Sequence, residues 1–213
     1  MRYNRSVFAL GILLALLAAP LTDAFAQIPP AGAPPGQRGG GRGGGRGRAV
    51  QIMTLTSEGF ADGASIPAKY AQPGAEASPP LAWSGVPDSI ASFALIVHDA
   101  NAVTGNGVDD VLHWMVWNIP GTARSLPEGV PQGGQLPDGA RQISVSGPYY
   151  RGPAAPASGP VHHYLFELFA LDTVLTVPAV GASPVATRAA VVAAMAGHVR
   201  GKAVAVGMFR RSP

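Results

Sequence analysis

The sequence predicts a mainly β domain with one late helix. From Ala49 onward, short apolar runs are separated by Pro/Gly-rich turns, which suits strands more than long helices. One segment near the C-terminus instead repeats its apolar residues at helical spacing.

Phe93–Val97 (FALIV) and Trp114–Ile119 (WMVWNI) are nearly continuous apolar runs. A strand without polar alternation must be covered on both faces, so both belong in the centre of a sheet. Gln142–Ser146 (QISVS) alternates weakly and is predicted as a strand, and Tyr164–Leu171 (YLFELFAL) as another, with Glu167 its one charge. Thr187–Val199 carries apolar residues at 189, 192, 193, 196 and 199, one helical face that should pack on the sheet, with Gly201 as the stop. Ala203–Phe209 (AVAVGMF) reads as a closing strand. Trp83, Trp114 and Trp117 are expected to pack in the core.

The N-terminal segment has a different purpose. Arg2 and Arg5 precede a thirteen-residue apolar run, Val7–Ala19, and then Ala24-Phe25-Ala26, a small-x-small pattern. Residues 1–26 therefore read as a secretory signal cleaved near Ala26, and the expected location is periplasmic or secreted. The run is shorter than the roughly 20 residues needed to cross a bilayer, and no later run suits a span, so no transmembrane segment is expected in the mature chain.

Residues 27–48 (QIPPAGAPPGQRGGGRGGGRGR) hold almost nothing that could be buried and read as a disordered Pro/Gly/Arg-rich linker. The linker carries Arg38, Arg42, Arg46 and Arg48 and no acid, whereas residues 49–213 hold nine Lys/Arg against eleven Asp/Glu. The basic pI of 9.6 thus belongs to the N-terminal segments, while the domain at 49–213 is near −2. No Phe or Tyr interleaves with these arginines to stack bases, and an exported chain leaves cytoplasmic RNA behind, so no nucleic-acid partner is expected. There is no cysteine, so stability must come from the core.

Tyr150–Tyr164 carries the functional signal. A Gly/Pro-constrained loop (RGPAAPASGP) runs directly into His162, His163 and an aromatic strand. His98-Asp99 and His113 each sit at the end of a strongly apolar run, so a few strand ends could wall one pocket. Imidazoles and a tight glycine loop suit capture of a small anion. No G-x-S-x-G elbow, P-loop, H-E-x-x-H or C-x-x-C occurs, and neither a cofactor nor a metal is called for.

Taken in order, Ser78-Pro79-Pro80-Leu81 with Trp83, Asp99 in HDANAVTG, His113 in HWMVWNIP, the GPAAP loop with His162 and Tyr164, and the closing GHVRGKAVAVGMFRR resemble the phosphatidylethanolamine-binding protein family. The resemblance, to its bacterial Raf-kinase-inhibitor-like branch, covers about residues 52–211. It implies a central antiparallel sheet, a second smaller sheet and helices at the side. It also implies a pocket for phosphate, carboxylate or a phospholipid headgroup, with Asp99, His113, Tyr150, Gly152, Pro156, His162 and Tyr164 as its ligand-binding residues. Asp99 is expected to orient His113 and favour its charged form, and backbone N–H groups around Gly152 to approach the anion.

Where the family typically has D-P-D-A-P, this chain has Asp99-Ala100-Asn101-Ala102-Val103, so Asn101 removes a carboxylate from the rim. Ala154 stands where Gly or Cys is common, and Ala155-Pro156 where a Pro pair is frequent. His98 and His163 alternate to the opposite face and are expected to serve structure or solvent, and His198 to sit at the helix end, where a cationic ring meets the dipole. Two alternatives stand beside anion binding, with no enzymatic activity expected in the first: an interaction or inhibitory module acting on an envelope kinase or protease, and a small-ester hydrolase or lyase using His113 and Asp99. The sequence specifies no oligomeric state.

Overall fold

In the computed structural model, which describes residues 49–104, 107–178 and 183–213, the two apolar runs become neighbouring inner strands. The strands are β1 (Gln51–Ile52), β2 (Thr54–Thr56), β3 (Leu81–Ser84), β4 (Ser92–Thr104), β5 (Asp109–Pro120), β6 (Ser125–Leu126), β7 (Arg141–Ile143), β8 (His162–Leu171) and β9 (Val199–Phe209). The helix α1 (Pro184–Met195) lies between the last two, and a short 3-10 turn covers Ala68–Tyr70. Six strands form one sheet in the order β1-β9-β8-β4-β5-β7, and three form a second in the order β2-β3-β6. The large sheet is mixed: its β1–β9 edge is parallel and every other pairing antiparallel.

Both faces of the large sheet are covered, as the unbroken hydrophobicity of β4 and β5 requires. On one face, Phe93, Leu95, Val97, Trp114, Val116, Phe166 and Leu168 pack against Leu55, Leu81, Trp83 and Leu126 of the small sheet. On the other, Ala94, Ile96, Met115 and Trp117 pack with Val191 and Met195 of α1. The buried Gln142 is matched within this core, whereas the Trp83 indole N–H has no hydrogen-bond partner among the described residues. Trp114 Nε1 donates to Gln142 Oε1 at 2.8 Å, and Gln142 Nε2 donates to the carbonyls of Pro131 and Gly133.

The helix departs from its predicted register. Ser183 caps it, accepting a hydrogen bond from Ala186 N, and Pro184 opens it, so it begins three residues before the expected start. Gly197, at φ +80, provides the turn that ends it, while Gly201 lies inside β9. The buried face is Thr187, Val191 and Met195, and the expected face through Ala189, Val192 and Ala193 is exposed. The predicted strand Gln142–Ser146 stops at Ile143, because the Ser144 hydroxyl turns back to the Gly147 carbonyl. β7 therefore pairs only with Met115–Trp117, and beyond it a single backbone bond, from Val145 N to the Leu112 carbonyl at 3.0 Å, reaches the Asp109–Leu112 end of β5.

His98 anchors the helix-side face near this end. It sits between the carboxylates of Asp110 and Glu167, and the chain of charge continues to Arg188 of α1 and to Lys202 of β9, 2.7 Å from Glu167. Burial opposes charge on His98, but Glu167 and Asp110 outweigh it and raise its pKa above 6.5. The His98 hydrogen bond and Lys202 hold Glu167 down to about 2.

The raised imidazole stabilises fully below its unfolded value and loses that contribution as pH rises through the raised one, whereas the depressed carboxylates lose theirs only as pH falls through the acid range. Thermal unfolding should show the protein losing stability as pH rises above 6.5 through the raised His98 value, and His98→Gln should flatten that decline while lowering the melting temperature at pH 6.5.

Candidate functional site

A β-bulge places His113. Val97 pairs with Trp114 and His98 with Leu112, so His113 is the extra residue between two registered pairs. A bulge re-aims one side chain without ending the strand, and here the ring turns toward the end of the sheet. Its position is fixed twice: Arg151 N donates to the His113 carbonyl, and His113 Nδ1 meets the Arg151 carbonyl, each at 2.8 Å. The Tyr164 ring lies edge-on to it, 5.0 Å away.

Asp99 closes the other side. The β4–β5 register shifts again between Asp99 and Val103, and residues 100–102 form the irregular stretch. Asp99 Oδ1 accepts from Asn101 N at 2.9 Å and Ala102 N at 3.1 Å, while Oδ2 meets His162 Nδ1 at 2.8 Å. Asp99 is only 3% exposed. Asn101 turns away from the rim, where its Oδ1 accepts from His163 N and meets the His163 ring at 2.9 Å. Tyr164 pairs with Asp99 across the sheet and stacks on His162 at 6.5 Å. Burial, followed by the Asp99 charge, pushes the Tyr164 hydroxyl well above its usual range, so it remains protonated.

These residues meet in a cleft of about 410 Å³ at the end of β4, β5 and β8. Asp99, His113, Pro156, His162 and Tyr164 line it together, but Tyr150 and Gly152 do not. Tyr150 is buried edge-on against Trp114, and its hydroxyl donates to the Tyr70 carbonyl at 2.9 Å. Gly152 donates its N–H to Glu76 Oε1 at 3.1 Å, so that group is already engaged. Close packing requires a glycine here: a Cβ would lie 2.6 Å from the Tyr70 carbonyl oxygen. Gln72 and Arg151 line the cleft without having been singled out, and Arg151 Nη2 donates to Gln72 Oε1 at 2.9 Å. Arg151 lay inside the Tyr150–Tyr164 stretch; Gln72, some 80 positions upstream, left no local signal.

The expected pairing of Asp99 with His113 is replaced. Asp99 orients His162, because His113 occupies the bulge and its Nδ1 faces a carbonyl. Burial lowers the His113 pKa below 6.5 despite the neighbouring carbonyls and the Asp99 charge, so the ring is held neutral, contrary to expectation. A carbonyl can only accept, so Nδ1 carries the proton and Nε2 of the neutral ring keeps a lone pair. His113 thus accepts a hydrogen bond when neutral and donates through both nitrogens only once protonated. Among the described residues, no group of three or more His, Cys, Asp or Glu side chains is arranged to hold a metal ion.

Residues 56–210 match the phosphatidylethanolamine-binding protein family. The chain belongs to that family. A UPF0098 protein of Methanothermobacter thermautotrophicus is 42% identical over 161 residues, covering 75% of this chain and 99% of the relative. A Mycobacterium tuberculosis protein named as a proposed lipoprotein, LppC, is 38% identical over 164 residues, covering 76% of this chain and 74% of its own length. The crystal structure of Escherichia coli YbcL, titled a new member of the mammalian branch of the family, superposes with a TM-score of 0.64 at 27% identity, covering 75% of this chain and 99% of that one. The two-sheet architecture with a flanking helix is thus that of the phosphatidylethanolamine-binding proteins.

Gly152→Ala tests the packing role assigned to the loop. The added methyl group must displace the Tyr70–Ala71 backbone, and the variant should lose roughly 1–3 kcal/mol in urea unfolding with an unchanged m-value.

Proposed function

We propose that this protein is an exported binding protein whose strand-end cleft captures a small phosphate- or carboxylate-type anion, free or as a phospholipid headgroup. One observation carries the reading. Two imidazoles from distant strands, His113 and His162, and the Arg151 side chain line one cleft, with the His162 ring turned by a buried carboxylate behind it.

An anion entering this space meets the Arg151 guanidinium and the His162 ring, and favours protonation of His113, whose Nε2 then donates to it. Binding is therefore accompanied by proton uptake at His113 or by transfer of the ligand's own acidic proton to it. Each charge-assisted hydrogen bond contributes roughly 1.5–3 kcal/mol, so three or four leave micromolar to millimolar affinity after ordering costs. The dyad expected for ester hydrolysis, His113 with Asp99, is not formed; Asp99 pairs with His162 instead. Export rests on the N-terminal signal pattern, which lies outside the described residues, and is supported by the similarity to a protein named as a proposed lipoprotein. Among the described residues, no helix is long and apolar enough to cross a membrane.

Calorimetric titration with inorganic phosphate and phosphoethanolamine is the test. Affinity should rise as pH falls from 8 to 6, since His113 must gain a proton from a lowered starting point. His113→Ala and His162→Ala should each weaken binding by about tenfold or more, and Arg151→Gln should weaken it and reduce its dependence on salt. Binding that both histidine variants leave unchanged would contradict the proposal.

A further inference from the structure

Arg151 enters the cleft with a carboxylate behind it. Its Nη2 donates to Gln72 Oε1 at 2.9 Å, while its Nη1 lies 3.9 Å from Glu76 Oε1, beyond a hydrogen bond but well inside Coulomb range. Gln72 lines the cleft beside the guanidinium and Glu76 does not. The same Glu76 oxygen accepts from Gly152 N at 3.1 Å, Gln72 Nε2 donates to the Gly152 carbonyl at 2.8 Å, and Gln72 N donates to the Pro153 carbonyl at 3.0 Å. The 72–76 segment thus grips the 151–153 loop, with Glu76 held in the left-handed region at φ +54, where a side chain persists only if its surroundings fix it.

The two grips differ in charge. Gln72 is neutral and aims the guanidinium, whereas Glu76 sets a fixed negative charge against it. The Arg151 and Glu76 side chains are 35% and 30% exposed, so solvent screens these charges only in part. Burial and then the Glu76 charge push the Tyr150 hydroxyl above its usual range, so the field of this carboxylate reaches the interior beside the cleft. Arg151 is the only Lys or Arg among the described residues lining the cleft, and Asp99 supplies a second carboxylate. An arriving anion therefore shares Arg151 with Glu76, and the repulsion it meets doubles when its own charge doubles.

Resting on the anion-binding reading above, we infer that Glu76 is a specificity-determining residue: a counter-charge behind Arg151 that favours singly charged anions over doubly charged ones of the same shape. Glu76→Gln removes the charge and keeps an oxygen for the Gly152 N–H, so the loop stays gripped. A single charge at this range alters the affinity of a monoanion by roughly two- to fivefold, and that of a dianion by the square of the same factor.

Calorimetric titration at low salt with methanesulfonate and sulfate, tetrahedral oxyanions that stay singly and doubly charged near neutral pH, separates charge from shape. The unmodified protein should prefer sulfate by less than about tenfold. Glu76→Gln should tighten methanesulfonate roughly two- to fivefold and sulfate roughly four- to twenty-five-fold. Equal gains for the two anions, no gain, or weaker binding of either overturns this inference alone. So does a sulfate preference above about tenfold in the unmodified protein, a result that needs no variant. Failure of both anions to bind either form overturns the anion-binding reading and this one with it.

Discussion

Asp99 puts a carboxylate, almost wholly out of solvent, at the point where β4 stops pairing regularly with β5. Two backbone N–H groups and the His162 ring converge on it, and Tyr164 lies beside it. A buried carboxylate keeps its charge only while such donors surround it, and stripping partners from a buried charge typically costs about 3–5 kcal/mol. The shape of the 100–102 stretch, the direction of the His162 ring and one wall of the cleft all follow from meeting that requirement. The arrangement also explains why two adjacent residues of β4 have separate tasks. Strand alternation sends Asp99 to the cleft side and His98 to the helix side, where it binds Asp110 and Glu167.

The cleft and the sheet depend on one another through irregularity. A regular β5 would leave no extra residue between Leu112 and Trp114, and a full-length β7 would cover the margin beside Val111. Instead, a bulge turns His113 to the end of the sheet, the Ser144 hydroxyl ends β7 early, and the 151–156 loop fills part of the gap with its carbonyl on His113 Nδ1. Because that partner accepts and cannot donate, it selects the tautomer, and burial keeps the ring neutral. His162, facing a carboxylate, and His113, facing a carbonyl, are thus chemically distinct although both are imidazoles in one cleft.

Much of the fold was legible because β4, β5, β8 and β9 are long and apolar, and burial on both faces is written into unbroken hydrophobic runs. The small sheet was accessible only through the family resemblance, since its strands have two to four residues and their pairing is wholly long-range. The helix was legible but its buried face was not: an alanine- and valine-rich segment offers several apolar stripes, and packing selected 187/191/195. Asp99, His113, Pro156, His162 and Tyr164 were legible as neighbours, whereas Tyr150 and Gly152 carry the same motif signal for a packing reason. The partner of each imidazole was not legible, because bulges and the loop carbonyls set it.

The most direct measurement is the ¹⁵N spectrum of the histidine side chains at pH 7.5, with and without saturating phosphate. The account predicts that free His113 is the neutral tautomer protonated at Nδ1, and that phosphate shifts both its ring nitrogens to imidazolium values. A free ring already charged or protonated at Nε2, or a His113 signal that phosphate leaves unmoved, would contradict it.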